Sequence, residues 1–364
     1  MRLALRLARR GYGATSPNPM VGAVLAKGGK IIGRGWHRRA GEPHAEIEAL
    51  RDAQRRGHNA KGATLYVTLE PCCTHGRTPP CTEAIRAAGI RRVVIGATDP
   101  NPQHSGRAFR ILRRAGIAVV PGVMAEACER LNRSFNHWIV HRTPLVTVKA
   151  GMTLDGKIAT AAGQSRWITG EQARAYGMKL RLGSDAILVG INTVLADDPS
   201  LTVRTPGRAV RAHKLRRIVL DAMARTPLAS KVASDEHAAL TTVVVSTLAP
   251  KRRVAALAQR VTVLVAPSSR GKINLRWLLQ KLGSEAVTSL LVEGGGEVNA
   301  SFLHQGLAQR VAFFYAPMIL GGRDSRSGVA GVGARSLAES LSLTGLEWRQ
   351  LGPDWLLSAQ VAPR

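Results

Sequence analysis

Acidic and aromatic residues are both scarce in this sequence. The 364 residues include 52 Lys and Arg but only 24 Asp and Glu, a formal net charge of +28, and aromatic residues make up 4%. Such an excess of positive charge favours a nucleic-acid partner. The basic residues are nevertheless dispersed, in short runs such as Lys251–Arg253 that lack the interleaved aromatic residues on which bases stack. We therefore expect a solvated basic surface that favours anionic, phosphorylated substrates, and no nucleic-acid partner.

Cysteine is also rare, and long apolar runs are missing. No stretch approaches the roughly 18 apolar residues of a membrane helix, which predicts a soluble, cytoplasmic protein with no membrane partner. Three of the four cysteines lie between residues 72 and 81, a clustering that favours metal binding or catalysis over a disulfide framework. The arginine-rich residues 1–11 have the composition of an organellar presequence, but they run directly into motif-bearing sequence, so we expect an ordinary first helix.

The length of the chain predicts two domains. Arg142-Thr143-Pro144 interrupts the pattern and predicts a boundary, with domains at residues 1–143 and 144–364. Helical and strand patterns alternate in both domains, which indicates the α/β class. The first domain is expected to end in one long helix from about Met124 to His141, and the last predicted strand of the second is Leu356–Val361.

Two segments of the first domain carry the residues of a zinc site. PHAEIEAL places His44 and Glu46 at the start of a predicted helix, and LEPCCTHGRTPPC contains Cys72 and Cys81. His44, Cys72 and Cys81 would supply three ligands to a tetrahedral Zn²⁺ and leave the fourth position to water. Glu46 would then carry protons between that water and a leaving amine. H-x-E followed by P-C and a second cysteine is typical of zinc deaminases of bases and nucleosides.

Two alternatives compete with a small-molecule deaminase. A closed structural zinc site would take Cys73 or His75 as its fourth ligand, but Glu46 would have no purpose in it. A tRNA-type nucleic-acid deaminase with a basic accessory domain is suggested by the charge. Nucleic-acid deaminases, however, have two residues between their cysteines, whereas eight separate Cys72 from Cys81 here.

Four motifs of the first domain resemble the deaminase half of the bifunctional riboflavin-biosynthesis deaminase–reductases. They are TSPNPMVGAV (Thr15–Val24), PHAEIEAL, VTLEPCCTHGRTPPC and ATDPNPQHSGR (Ala97–Arg107). The resemblance implies a cytidine-deaminase-like, three-layer α/β/α domain that deaminates 2,5-diamino-6-ribosylamino-4(3H)-pyrimidinone 5′-phosphate. It assigns Zn²⁺ to His44, Cys72 and Cys81 and the catalytic proton transfer to Glu46.

The resemblance leaves several residues of this domain open. The family usually has serine where this chain has Cys73, so we expect an inert neighbour there. Asn18, His75 and Asp99–Asn101 are either substrate contacts or turn residues. His37 is expected to be an ordinary residue on the surface or at a strand end.

Motifs of the second domain resemble the reductase half of the same enzymes, whose fold is similar to dihydrofolate reductase. They are VKAGMTLDGKIAT (Val148–Thr160), GQSRWITG (Gly163–Gly170), the segment Leu180–Arg204 and the VEGGG turn. The resemblance implies an α/β domain that uses NADPH to reduce the ribosyl side chain to ribityl. The implied NADPH contacts are Gly151, Trp167, Thr193, Asp197, Gly295, Gly296, Glu297, Val298, Asn299, Ala300 and Ser301, and the implied substrate contacts are Ser165, Arg181, Leu201, Arg204 and Glu293.

The glycine-rich turn also carries a weak signal of its own. A strand, three glycines and a helix start form a phosphate cradle when backbone N–H groups point outward, although such glycines are often only a tight turn. Lys149 and Asp155 either assist proton transfer or hold structure. The sequence does not define the oligomeric state and allows a homo-oligomer.

Overall fold

The structure is a computed structural model that describes residues 1–74, 79–204 and 214–363. The chain divides into two compact units, Met1–Arg142 and Thr143–Arg364. Among the described residues, no helix has both the length and the apolar character needed to cross a membrane.

The first unit is built on a five-stranded sheet in the order β2-β1-β3-β4-β5. The β1–β2 and β1–β3 pairs are antiparallel, and β3, β4 and β5 are parallel. The strands are β1 (Gly22–Lys27), β2 (Lys30–Trp36), β3 (Thr64–Leu69), β4 (Arg92–Ala97) and β5 (Ala118–Val120). The helices are α1 (Arg2–Ala8), continued by a 3-10 turn at Arg9–Gly11, α2 (Ala45–Arg55), α3 (Cys81–Ala87), α4 (Arg107–Arg114), α5 (Ala125–Leu131) and α6 (Arg133–His141).

Helices cover both faces of this sheet and make three layers. Buried residues of α2, α3 and α4 form one core with the strands, and those of α1 and α5 pack on the other side. Helix α2 lies unusually close to β2, because a Cβ at Gly33 would be 2.3 Å from the Ala49 carbonyl oxygen and one at Gly35 2.2 Å from that of Ala45. This close packing fixes the N-terminus of α2 against the sheet.

The single long helix predicted from Met124 to His141 is wrong, because two helices meet at Asn132. The backbone there departs from helical geometry, with φ −114° and ψ 26°. The buried Asn132 side chain accepts a hydrogen bond from the Met20 N–H at 2.8 Å and donates to the Met20 carbonyl at 2.9 Å. This pair of bonds to a distant loop stabilises the break, which local helical spacing does not predict.

The second unit contains a nine-stranded sheet in the order β11-β10-β9-β8-β14-β6-β15-β18-β17. Neighbouring strands from β11 to β15 are parallel, and β18 and β17 are added antiparallel. Its strands are β6 (Leu145–Thr153), β8 (Ala186–Gly190), β9 (Arg216–Leu220), β10 (Thr241–Ser246), β11 (Thr262–Ala266), β14 (Ser289–Val292), β15 (Arg310–Ala316), β17 (Leu343–Leu351) and β18 (Asp354–Val361). Two small ladders pair β7 (Lys157–Ala159) with β16 (Arg326–Ser327), and β12 (Ser268–Ser269) with β13 (Lys272–Ile273).

Helices again lie on both faces of the large sheet, with 3-10 turns at Ala238–Leu240 and Leu337–Glu339. The helices are α7 (Glu171–Leu182), α8 (Ile191–Asp197), α9 (Lys231–Ser234), α10 (Lys251–Ala258), α11 (Leu275–Ser284) and α12 (Gly296–His304). The sequence pattern does not predict β17, whose residues 344–350 are exposed. Pairing with β18 makes this segment a strand, so hydrophobic burial left no pattern to detect.

Candidate active sites

The start of α2 positions His44 and Glu46. His44 is the N-cap of the helix. Its backbone is extended, and its side chain makes no capping hydrogen bond to the first turn. Glu46 lies in that first turn and is 3% exposed. Burial, reinforced by the negative charge of Cys72, raises the pKa of Glu46 to about 7, which suits a group that both accepts and gives up protons near neutral pH.

The two cysteines reach the same place from different elements. Cys72 follows the end of β3, and Cys81 is the first residue of α3, after Pro80 as N-cap. The Cys81 backbone N–H donates a hydrogen bond to Cys72 Sγ at 3.2 Å. Hydrogen bonding from the Cys81 thiol, together with this N–H and His44, lowers the pKa of Cys72 to about 4, and the same contact raises the pKa of Cys81.

His44, Cys72 and Cys81 form a three-atom cluster whose ligand atoms all lie within 4.8 Å of one another. His44 Nδ1 is 3.3 Å from Cys81 Sγ and 3.5 Å from Cys72 Sγ. Atoms at tetrahedral angles around zinc, about 2.0 to 2.3 Å from the metal, lie roughly 3.3 to 3.8 Å apart. One nitrogen and two sulfur donors at these separations fit Zn²⁺, with a fourth position left for water.

Of the two proposed fourth protein ligands, Cys73 does not join the cluster. Cys73 Sγ turns instead toward His104 Nδ1, 3.8 Å away, and is not one of the clustered atoms. His75 lies outside the described residues. Among the residues that the structure describes, His44, Cys72 and Cys81 therefore form a three-ligand site, which we call the metal-type centre. Three protein ligands are the arrangement that catalytic zinc requires.

His37 directly follows β2, as predicted, but it is buried beside the zinc-ligand cluster, so the alternative of an ordinary surface residue is wrong. Its ring is 2% exposed and lies 5.4 Å, centroid to centroid, from that of His44. His37 Nδ1 is 3.1 Å from the Pro43 carbonyl oxygen, and its Nε2 is 3.1 Å from the Asn18 amide nitrogen. An Nδ1–H tautomer satisfies both contacts and orients Asn18 next to the site. The TSPNP motif contained Asn18 but gave no signal for its partner.

Glu70 organises the segment next to the cysteine-bearing end of β3, a role that no sequence motif predicts. Its buried carboxylate accepts backbone N–H bonds from Asp99 at 3.2 Å, Gly106 at 3.0 Å and Ala108 at 3.0 Å. These bonds hold the segment from Asp99 to the start of α4, where Asp99 Oδ1 accepts the N–H of Asn101 at 2.9 Å. Glu70 thus links the cysteine-bearing end of β3 to the ATDPNP segment.

The second unit contains a cavity of about 1030 Å³ at the carboxyl ends of its parallel strands. Ligands of open α/β sheets commonly bind at this edge. The predicted residues that line it are Gly151, Ser165, Thr193, Asp197, Glu293, Gly295, Gly296, Glu297 and Val298. Lys149 also lines it, together with residues that the sequence did not single out, among them Asn192, Leu220 and Arg326.

The glycine-rich turn after β14 has the form of a cradle. A Cβ at Gly296 would lie 2.2 Å from the Ser327 carbonyl oxygen, so glycine is needed for close packing there. A Cβ at Gly295 would meet nothing nearer than Thr193 Oγ1 at 3.8 Å, and both residues line the cavity. The backbone before α12 therefore faces open space, which fits the pyrophosphate of a dinucleotide.

A network of charged side chains fixes Glu293 at the cavity wall. Arg181 donates to both carboxylate oxygens at 2.9 Å, and Lys149 Nζ lies 3.6 Å from Oε2. Burial alone would raise the pKa of Glu293, but Arg181 and then Lys149 outweigh it and lower the pKa to about 2. Arg181 also donates to the Thr202 carbonyl at 3.0 Å, which connects this network to the segment that carries Leu201 and Arg204.

Several predicted residues do not line this cavity. Trp167 is 69% exposed, with the Arg174 guanidinium 4.6 Å above its ring. Asp155 accepts the backbone N–H groups of Leu320 and Gly321 at 3.1 and 2.7 Å, a structural role. The others are Arg181, Leu201, Arg204, Asn299, Ala300 and Ser301.

Both units match families of known proteins. Residues 1–97 match the cytidine and deoxycytidylate deaminase zinc-binding region, and residues 144–357 match the RibD C-terminal domain. The riboflavin biosynthesis protein RibD of Aquifex aeolicus is 44% identical over 360 residues, which cover 98% of this chain and 96% of that protein. The structure of Acinetobacter baumannii RibD aligns with a TM-score of 0.87 at 35% identity, covering 100% of this chain and 98% of that one.

A further solved structure, from Thermotoga maritima, is described as a diaminohydroxyphosphoribosylaminopyrimidine deaminase/5-amino-6-(5-phosphoribosylamino)uracil reductase. It aligns with a TM-score of 0.84 at 34% identity and covers 100% of this chain and 97% of that one. Fold and sites thus define a bifunctional enzyme in which a zinc-binding deaminase domain precedes a reductase domain. The chain belongs to the RibD family of riboflavin-biosynthesis enzymes. The predicted fold classes and family are confirmed, and the tRNA-type deaminase is not favoured.

Proposed function

We propose that this chain deaminates 2,5-diamino-6-ribosylamino-4(3H)-pyrimidinone 5′-phosphate and then uses NADPH to reduce the ribosyl side chain of the product to ribityl. The single observation that carries the first step is the cluster of His44, Cys72 and Cys81 with the buried Glu46 beside it. The cavity around the glycine-rich turn supports the second. The Thermotoga structure's description supports the choice of substrate.

In the deaminase domain, His44, Cys72 and Cys81 would hold Zn²⁺. When bound, the metal supplies Lewis acidity that lowers the pKa of water toward about 7. Glu46 takes a proton from the attacking water and delivers protons to the amine, which leaves as ammonia while the ring carbon gains the oxygen. Its pKa of about 7 allows both transfers near neutral pH.

In the reductase domain, NADPH supplies the hydride when bound, and the protein aligns it with the substrate. The turn at Gly295 and the start of α12 would hold the pyrophosphate, and Thr193 and Asp197 line the same cavity. Ser165 and Glu293 line the cavity wall, from which they would contact the substrate. Because its guanidinium is bonded to Glu293 and the Thr202 carbonyl, Arg181 acts by holding Glu293 and the segment that leads to Arg204.

The thiolate ligands also support a cellular location for the enzyme. Cys72 and Cys81 serve as metal ligands only as reduced thiolates, and the cytoplasm keeps thiols reduced. We therefore propose a cytoplasmic enzyme whose partner is a small phosphorylated pyrimidine.

The test follows ammonia release and NADPH oxidation together, starting from the aminopyrimidine ribotide. We expect ammonia to appear first and NADPH to be consumed only as deaminated product accumulates. Consumption of NADPH without prior ammonia release would reverse the proposed order. Tight binding of tRNA at moderate salt, with no turnover of the free nucleotide, would instead favour a nucleic-acid deaminase.

A further inference from the structure

A fully buried arginine joins several segments of the second unit. Arg217, the second residue of β9, is 1% exposed, and all five of its N–H donors make hydrogen bonds. Its Nε donates to Thr241 Oγ1 at 2.9 Å and its Nη2 to the Val232 carbonyl at 3.3 Å. The Asp235 carboxylate accepts from both Nη atoms at 2.7 and 2.8 Å, and Nη1 also donates to the Ser200 carbonyl at 2.9 Å. The guanidinium thus connects β9 to three other parts of the chain.

Stability alone does not explain an arginine at this position. The desolvation of a buried ion pair largely offsets its attraction, and apolar side chains of similar volume often stabilise a core as well or better. Val219, two residues further along β9 on the same face, belongs to such an apolar core. What only a guanidinium supplies here is a set of directional hydrogen bonds to the carbonyl groups that it holds, among them that of Ser200.

The Ser200 carbonyl belongs to residues 200–204, which follow α8 and form neither helix nor strand. We call them the 200–204 segment. Leu201 has a φ of 51°, in the left-handed region that a bulky residue seldom adopts. Its side chain is 2% exposed and packs in the apolar core beside β9. Because local preference opposes this backbone conformation, contacts from outside the segment must hold it.

Two arginines hold the segment on either side of Leu201. Arg217 binds the Ser200 carbonyl, and Arg181 donates to the Thr202 carbonyl at 3.0 Å. The hydroxyl oxygens of Ser200 and Thr202 lie 3.3 Å apart. Within the described ranges, no residue accepts the backbone N–H of Leu201. Since its side chain is buried, Leu201 can meet a ligand only through this backbone, whose position the two arginines define.

We propose that Arg217 is a positioning residue of the reductase, which sets the affinity for the pyrimidine nucleotide without touching it. It acts by holding the 200–204 segment, which contains the predicted substrate contacts Leu201 and Arg204. This inference rests on the proposed function of the domain and adds to it a residue from the core. The predicted cofactor contacts lie outside the segment, so loss of the Arg217 bonds should affect the substrate and not NADPH.

The test measures steady-state reduction of the deaminated nucleotide by the full chain, and NADP⁺ binding by calorimetry. Arg217→Lys keeps the charge but has its three donors on a single atom, so it cannot bridge the same groups. We expect the KM for the nucleotide to rise roughly tenfold to thirtyfold, with kcat and the affinity for NADP⁺ within about twofold of wild type. Asp235→Asn, which loosens Arg217 without removing it, should raise the KM by roughly threefold to tenfold.

The matched control is Arg216→Lys. Arg216 is the preceding residue of the same strand, and its side chain pairs with Glu285. This variant should change neither the KM nor the affinity for NADP⁺.

A double-mutant cycle separates positioning from a general structural role. Arg204→Ala should raise the KM for the nucleotide by itself. Adding Arg217→Lys to it should then raise the KM by less than about twofold more, because both changes act through the same segment. A general structural role would give independent effects that multiply, and would lower kcat and the affinity for NADP⁺ as well.

All variants are assayed at a temperature at which circular dichroism shows them folded. Wild-type protein that does not oxidise NADPH with the deaminated nucleotide would contradict the proposed reductase function. With an active wild type, an unchanged KM in Arg217→Lys, or equal losses for nucleotide and NADP⁺, would overturn only the role of Arg217. If Arg217→Lys does not fold, the KM of Asp235→Asn decides by the same criterion.

Discussion

The metal-type centre of the first unit and the cavity of the second differ in what holds the reactive groups. In the first, three side-chain atoms lie within 4.8 Å of one another, next to a carboxylate that is 3% exposed. In the second, a cavity of about 1030 Å³ is lined by residues of many segments, six of them glycines. One site depends on the identity of a few side chains, and the other on a surface that positions a cofactor.

This difference follows from the chemistry that each site must supply. Hydrolytic deamination needs a metal and a proton carrier at fixed atoms, so few residues carry the reaction and each is essential. In hydride transfer the cofactor carries the reactive group, so the protein contributes many small positioning contacts. Single substitutions should therefore abolish deamination, whereas each should only partly reduce the reductase activity.

The largest effect is expected when a ligand is removed. Cys81→Ala should lose zinc and reduce ammonia release by at least about 10⁴-fold, because both the activated water and its orientation are lost. NADPH oxidation with deaminated substrate should stay near wild type. Metal analysis and the two assays test this, with Cys73→Ser as the matched control that keeps zinc. Retained zinc in Cys81→Ala would contradict the ligand set.

Removing the proton carrier should leave the metal in place. Glu46→Gln should reduce ammonia release by roughly 10²- to 10⁴-fold with zinc content unchanged, because the amide cannot accept the proton of the attacking water. Glu48→Gln is the control, since Glu48 lies in the same first turn but pairs with Arg38 and Arg51. Equal losses in both variants would show that the helix start, and not Glu46 itself, is what matters.

Glu293 should make the second unit sensitive to acid. Its folded pKa of about 2 lies below the ordinary value of 4.5, so below about pH 5 the unfolded chain binds a proton that the folded chain does not. Its stabilisation, on the order of 3 kcal/mol, is therefore complete above about pH 5 and is lost as the pH falls toward 2. Urea unfolding of wild type and Glu293→Gln from pH 7 to 3 should give a difference that shrinks with acid. A difference independent of pH would contradict the assignment.

The smallest effect is expected at the backbone cradle. Gly295→Ala would place a methyl group on the cavity side and should weaken NADP⁺ binding by about tenfold, with the thermal unfolding of the free protein unchanged. Gly296→Ala would clash with the Ser327 carbonyl and should instead destabilise the fold by about 1 to 3 kcal/mol. Calorimetric titration and thermal melts separate the two. If Gly295→Ala lost stability but kept its affinity for NADP⁺, the proposed role of this backbone in binding the cofactor would be contradicted.

Local sequence was sufficient to predict the site residues that belong to short motifs with a fixed spacing. The H-x-E and P-C motifs predicted His44, Glu46, Cys72 and Cys81 before their convergence was known, and the structure brings His44, Cys72 and Cys81 together. Local sequence failed where a distant group decides the conformation. The helix break at Asn132 depends on Met20, 112 residues away, and the edge strand β17 depends on its pairing with β18.

The sequence by itself determined the α/β class, the family and the chemically reactive residues, because these are recorded in periodicity and in motifs of a few adjacent residues. Only the tertiary structure decided which groups surround those residues. His37 beside His44, Arg326 on the cavity wall and Arg217 against Ser200 come from segments with no shared local pattern. The reason is physical: packing and hydrogen bonds join residues far apart in the chain, and a sequence read locally does not contain those distances.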